Sequence, residues 1–338
     1  MPRDKKPGGG NPLILGRNAT RFPPFRARWP WIGGDLQTLR NTLHHRAPDF
    51  APYPAQRLLL PMRDGSGDCL YALLNLPTHD QHKPLVVLVH GLTGSEDSRN
   101  IMTSAAYHLS RGYPVMRLNL RNAGPGRGKC RGHYHAGRSS DIRDALAELP
   151  PGLSSRGIFL IGVSLGGNAV LKFLGEQRGT ENVRAAASVC APIDLKMAQM
   201  RIAAPRNAIY ERHLLASMRS DARLFGIDDI ENVLANVRSV YDFDDLIVAP
   251  NNGYANAEDY YRRSSAAQFL DSITVPTLLV HPRNDPWVPA RMYLERTWKP
   301  DGPLTLLMPP GGGHVGFHAA DDRQPWHDRC IGMFFATA

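Results

Sequence analysis

From residue 85 onward the chain alternates short, unbroken apolar runs with longer stretches in which apolar residues recur every three or four positions. The runs are LVVLVH (85–90), PVMRLNL (114–120), GIFLIGV (157–163), AAASVCA (185–191), TLLVH (277–281) and LTLLMP (304–309). Runs this short and this uniformly apolar suit strands buried on both faces. SRNIMTSAAYHLSRG, SSDIRDALAEL and NAVLKFLGEQRG lie between the first four and carry helical periodicity, with Ser139 or Ser140 expected to cap the second helix and Asp141 in its first turn. Upstream, QRLLLP and DCLYALLN flank the turn-rich MRDGSG and predict an opening antiparallel pair. Eight strands with helices between them imply an α/β fold: a mostly parallel sheet covered by helices on both faces.

One interval breaks the alternation. About 85 residues separate the strand ending near Ala191 from the one starting near Thr277, far more than a single crossover helix needs. DLKMAQMRIA, NAIYERHLLASMRSDARLF and IENVLANVRSVYDFDDLI are amphipathic, so residues 193–262 are expected to form an inserted helical lid. The core then comprises 28–192 and 263–338. Residues 1–27 are expected to form a basic extension, with about the first ten disordered.

The formal net charge of +9 raises the question of nucleic acid. Residues 1–46 carry nine Lys and Arg against Asp4 and Asp35, which is +7 of that total, and the remainder is nearly balanced. A second basic cluster, Arg117, Arg121, Arg127, Lys129, Arg131 and Arg138, lies in an acid-free stretch. It reads as a solvated face with internal salt bridges, the alternative being steering of anionic substrates or lipid headgroups. Cys69, Cys130, Cys190 and Cys330 are scattered without zinc spacing and read as reduced thiols. With no signal-peptide pattern after MPRDKKPGGGNP and no membrane-length apolar run, the expectation is a cytoplasmic protein without an integral membrane segment.

GVSLGGN (162–168) joins a predicted strand to a predicted helix and fits the GxSxG turn that exposes a serine hydroxyl. The five-residue pattern alone is weak, so the test is whether partners follow in the order Ser, Asp, His. Asp285 in HPRNDPWVP and His314 in PPGGGHVGF each follow a predicted strand, at the sheet edge where open α/β sheets place ligands. Asp285 would fix the imidazole tautomer and His314 would shuttle the Ser164 proton. Backbone amides of Leu165, after the serine, and Leu92, in HGLTGS, are the expected oxyanion-hole donors. Rival assignments are His318 as base and Asp194 as acid. His90 reads as a buried hydrogen-bonding residue, and His135 as either structural or site-lining. The histidine pair in HVGFH lacks the HExxH glutamate, so neither a metal nor an organic cofactor is expected.

Over about residues 28–335 the chain resembles the YheT-like branch of the α/β-hydrolases, relatives of yeast medium-chain ethyl ester synthase/esterases. The likeness is carried by WPWIGGDLQTL, VLVHGLTGSEDSRNI, NLRNAGPGRGKCRGHYHAG, GVSLGGNAVLKFLGE, CAPIDL, NDPWVP and GGGHVGF. The resemblance implies the same triad of Ser164, Asp285 and His314. Eukaryotic members carry an N-terminal membrane anchor without counterpart here, so a bilayer location is not implied, although peripheral lipid contact stays open. The expected activity is a serine carboxylesterase on short- to medium-chain acyl esters. The alternatives are transfer to an alcohol, hydrolysis of lipids or phospholipids on the same triad, and a non-catalytic binding protein. The expected partner is a small-molecule ester rather than nucleic acid, and the sequence leaves the oligomeric state open.

Overall fold

The computed structural model describes residues 9–16, 22–43, 47–79 and 82–338. Most of the stretch expected to be disordered at the N-terminus lies outside these residues, but Gly9–Gly10 pairs with Phe25–Arg26. All eight expected strands are present: β2 (Ala55–Pro61), β3 (Cys69–Asn75), β4 (Leu85–Val89), β5 (Val115–Leu118), β6 (Ile158–Val163), β7 (Val183–Val189), β8 (Thr277–Val280) and β9 (Leu304–Met308). A ninth, β1 (Leu13–Gly16), pairs antiparallel with β9 and closes that edge of the sheet. It lies in the segment read as an extension, and LILG is too short to stand out by periodicity. The spatial order is β1-β9-β8-β7-β6-β4-β5-β3-β2, with β4 to β9 mutually parallel.

Alternate residues of the central strands feed two separate cores, as the period of two demands. Val87 and Val89 of β4 pack on one face with Ile142 and Ala145 of α3 (Ser139–Ala147) and Ala169 of α4 (Leu165–Glu176). Val86 and Leu88 pack on the other with Ile101 and Ala105 of α2 (Arg99–Leu109) and with the C-terminal helix (Trp326–Phe335). In register, Val89 lies opposite Gly162, Val163 opposite Val189, Val189 opposite Val280, and Val280 opposite Leu307. The C-terminal ends of five parallel strands are therefore level, and the loops that follow them share one edge. An additional helix, α1 (Gly34–Leu43), precedes the sheet core.

The β7–β8 connection is helical: α5 (Leu195–Ile202), α6 (Ala208–Ala222), α7 (Ile230–Asn236), a helical stretch α8 over 240–251, and α9 (Ala257–Ser264). The third expected helical pattern is broken in two at Val237. Ser239 takes an extended backbone, accepts the Asp242 amide through its hydroxyl and donates its own amide to the Asp242 carboxylate (2.9 Å), a capping box that starts α8. Among the described residues no helix is long and apolar enough to cross a membrane. Ser139 and Ser140 both lie inside α3, whose cap position is Arg138, and the Ser139 hydroxyl donates to Glu176 (2.7 Å).

Arg121 and Arg117 of the basic cluster are buried rather than solvated. Arg121 bonds Asp141 through two nitrogens (2.7 and 3.0 Å), Asp68 (2.7 Å) and Asp64 (2.9 Å). Asp68 also accepts the amides of Arg131 and Gly132 (2.7 and 3.1 Å), which pins the loop after β5 to the β2–β3 turn. Two of the six cations are therefore spent inside the fold, while Arg127, Lys129 and Arg131 stay on the exposed face that was expected.

Candidate active site

Ser164 sits between β6 and α4 with φ 54° and ψ −123°, a conformation L-residues avoid and the sharp strand-to-helix turn enforces. Its amide is anchored on Val189 O (2.8 Å). The turn is possible only because α4 begins against β4: a Cβ on Gly166 would lie 2.3 Å from His90 O and 2.7 Å from Val89 O. Both neighbours are backbone and cannot swing away. Gly166→Ala is expected to destabilise the protein by about 1–3 kcal/mol, read as a lower urea midpoint at unchanged slope.

His314 lies after β9, and its Nε2 accepts the Ser164 hydroxyl at 2.9 Å. Its Nδ1–H donates to Asp285 Oδ2 at 2.8 Å, in the loop after β8. The other oxygen of Asp285 accepts the amides of Trp287 (2.8 Å) and Val288 (3.0 Å). Burial drives this carboxyl upward, but the adjacent imidazole and these donors outweigh it and hold it below the ordinary range. The three residues that chain order selected thus form one continuous line of hydrogen bonds, in a geometry that can draw a proton from a serine hydroxyl.

Four features behind that line were not read from the sequence. Thr38 Oγ1 of α1 accepts the His314 amide (2.8 Å), and Gln37 accepts the His318 amide (2.7 Å). The WIGGDLQTL motif is therefore a brace for the histidine loop. Gly313, at φ 58°, brings that loop within a Cβ clash (2.3 Å) of Gly34 O. Trp287 stacks on the His314 ring at 4.4 Å, and the signal was present in NDPWVP. Cys190, His281 and Asp285 place their ligand-type atoms within 4.8 Å of one another, although no Cys/His spacing announced it. In this group Cys190 Sγ accepts the Val315 amide and Asp285 serves His314, so these contacts buttress the acid and its loop.

The loop Gly91–Glu96 faces Ser164, and its shape is fixed from several sides. His90 is buried, bonds Gly91 O (2.8 Å) and the Leu120 amide (3.0 Å), and is pulled down to about 4 by burial. The Thr93 amide donates to Tyr134 Oη (2.5 Å), and Glu96 is held by Arg57 and Asn119. Among the described residues the Leu92 and Leu165 amides meet no acceptor. The rival assignments are occupied elsewhere. Arg40 bonds His318 (2.9 Å), whose imidazole burial pulls down to about 3, and Asp194 caps α5 through the Met197 amide. His135 is buried and lines the cavity, its Nδ1 accepting the Gly137 amide (3.2 Å).

Ser164 and His314 open onto a cavity of about 600 Å³. Its other walls come from α1 and α2 (Thr38, Asn41, Arg99) and from the helical β7–β8 connection (Leu195, Leu214, Phe243). The size falls within the ~300–1,000 Å³ of small-molecule sites.

Residues 84–321 match the α/β-hydrolase fold family. The chain is 32% identical over 307 residues to the putative esterase YheT of Escherichia coli K12, covering 89% of this chain and 88% of that one. It is 26% identical to the medium-chain fatty acid ethyl ester synthase/esterase 2 of Saccharomyces cerevisiae, over 75% of this chain but only 62% of the yeast protein. Among solved structures, an esterase of Pyrococcus furiosus superposes with a TM-score of 0.57 at 16% identity, covering 84% of this chain and 91% of that one, a likeness of fold alone. With the sheet order, the level strand ends and the serine turn in place, the chain belongs to the YheT-like family of α/β-hydrolases.

Proposed function

We propose that the protein is a serine carboxylesterase that hydrolyses short- to medium-chain acyl esters through an acyl-enzyme. The observation that carries this reading is the bonded line Asp285–His314–Ser164 at the wall of a cavity of about 600 Å³. Ser164 Oγ attacks the ester carbonyl as its proton passes to His314 Nε2, and Asp285 stabilises the imidazolium that forms. The developing oxyanion is met by the Leu92 and Leu165 amides, which meet no acceptor among the described residues. Collapse expels the alcohol, which takes the proton from His314. Water then repeats the sequence on the acyl-enzyme and releases the acid.

The helices between Leu195 and Ser264 act as the lid, since they supply much of the cavity wall. An acyl-length series of p-nitrophenyl esters from acetate to palmitate, with Ser164→Ala as blank, tests the assignment. Rates are expected to peak at about four to ten carbons for a cavity of this size, and a flat zero would refute it. A second reading is transfer of the acyl group to an alcohol, which a lid that kept water from the acyl-enzyme would favour. The yeast relative named as an ethyl ester synthase/esterase points the same way. Product analysis with ethanol present separates the two: an esterase yields free acid, a transferase the ethyl ester.

A further inference from the structure

The wall of the cavity under the β7–β8 helices is not uniformly apolar. Asp244 lines it among Phe243, Val248, Leu214 and Met218, and is 8% exposed. Its Oδ2 accepts one hydrogen bond, from Tyr261 Oη at 2.7 Å. Oδ1 has no donor among the described residues and is not sealed off from the cavity. The neighbouring Asp245 shows what an ordinary carboxylate does here: it accepts the Ala257 amide at the start of α9 (2.8 Å). Among the described residues Asp244 holds no backbone group and pairs with no cation.

The backbone is adapted to present it. Within α8, residues Asp244–Val248 form a π turn in which the Ala249 amide reaches back five residues to Asp244 O. Such insertions are uncommon and concentrate at functional sites. Pro250 removes a further donor, and the side chains of Asn251 and Asn252 take up Ile247 O and Val248 O (both 2.8 Å). A buried carboxyl with half its capacity unused is costly unless a partner arrives. A leucine at this position would have filled the same wall without that cost.

We propose that Asp244 is a specificity-determining residue that selects esters whose acyl chain carries a hydroxyl group remote from the scissile bond. This rests on the esterase reading above, and names the substrate class of the same site. A hydroxyl fits better than an ammonium. Burial pushes the Asp244 carboxyl up to about 7, so both of its forms are present near neutrality. A hydroxyl can donate to the carboxylate or accept from the acid, whereas an ammonium needs a charge pair in an apolar wall.

The test is calorimetric binding to the Ser164→Ala protein at pH 7, which does not depend on turnover. The probes are ethyl esters of straight-chain acids hydroxylated at carbon 6, 8 or 10, each against its unsubstituted parent. At least one hydroxylated ester is expected to bind about fivefold more tightly than its parent, the worth of one hydrogen bond. Adding Asp244→Leu should abolish that preference and tighten the parent. If every parent binds as well as its hydroxylated partner, the proposal is wrong whether or not the leucine variant folds. A preference that survives Asp244→Leu in folded protein would also overturn it. Failure of the esterase reading itself would show separately, as no turnover of any ester by the unaltered protein.

Discussion

Ser164→Ala should lower kcat for p-nitrophenyl butyrate by about 10⁴-fold or more while leaving the unfolding transition in place. The size of the effect follows from the division of labour in the site. Without the hydroxyl there is no atom to form the acyl-enzyme, so the Asp285–His314 pair retains its geometry but has nothing to activate. His314→Ala should fall to a similar level, because the serine loses the base 2.9 Å away. The double variant should lose little more than either single one, since residues that act as a unit are not additive. A double loss close to the product of the single losses would mean that Ser164 and His314 act independently, contrary to the geometry.

The second large effect is on stability. Arg121→Met should destabilise the fold by about 3–5 kcal/mol, the cost of leaving buried partners without their counter-charge. Arg121 is 1% exposed and sits among Asp64, Asp68 and Asp141, of which Asp68 and Asp141 are themselves buried. Its removal strands Asp68, leaves Asp64 and Asp141 only the longer Arg138 contacts (3.9 and 3.5 Å), and loosens the carboxylate that holds the Arg131–Gly132 loop. Denaturant unfolding of the variant checks this. A shift of a few tenths of a kcal/mol would show that solvent reaches the network and that the cluster is the solvated face the sequence suggested.

That contrast shows where sequence reasoning reaches and where it stops. The parallel strands were legible because a strand buried on both faces must be apolar at every position, and nothing else in the chain mimics LVVLV or IFLIGV. Ser164, Asp285 and His314 were legible because chemistry fixes their order and each follows a strand, and the hydrogen bonds join the same three. Charge was harder. The basic stretch holds no acid of its own, and its partners Asp64 and Asp68 lie far upstream, so burial of Arg121 leaves no local trace. β1 escaped notice because four residues against an edge need no pattern of their own. The brace from Thr38 and Gln37 to the histidine loop spans about 280 residues, a pairing that only the fold can make. The break at Val237 was within reach, since Ser239 followed by Asp242 is a helix-start signal inside what periodicity alone joined.

The account turns on a serine hydroxyl made nucleophilic by its neighbours, and a fluorophosphonate probe tests that directly. Incubated with folded protein and analysed by intact mass and peptide mapping, it is predicted to add once, on the peptide containing Ser164, and not at all to the Ser164→Ala protein. An unlabelled folded protein, or an adduct on another residue that persists in Ser164→Ala, would contradict the assignment of Ser164 as the nucleophile.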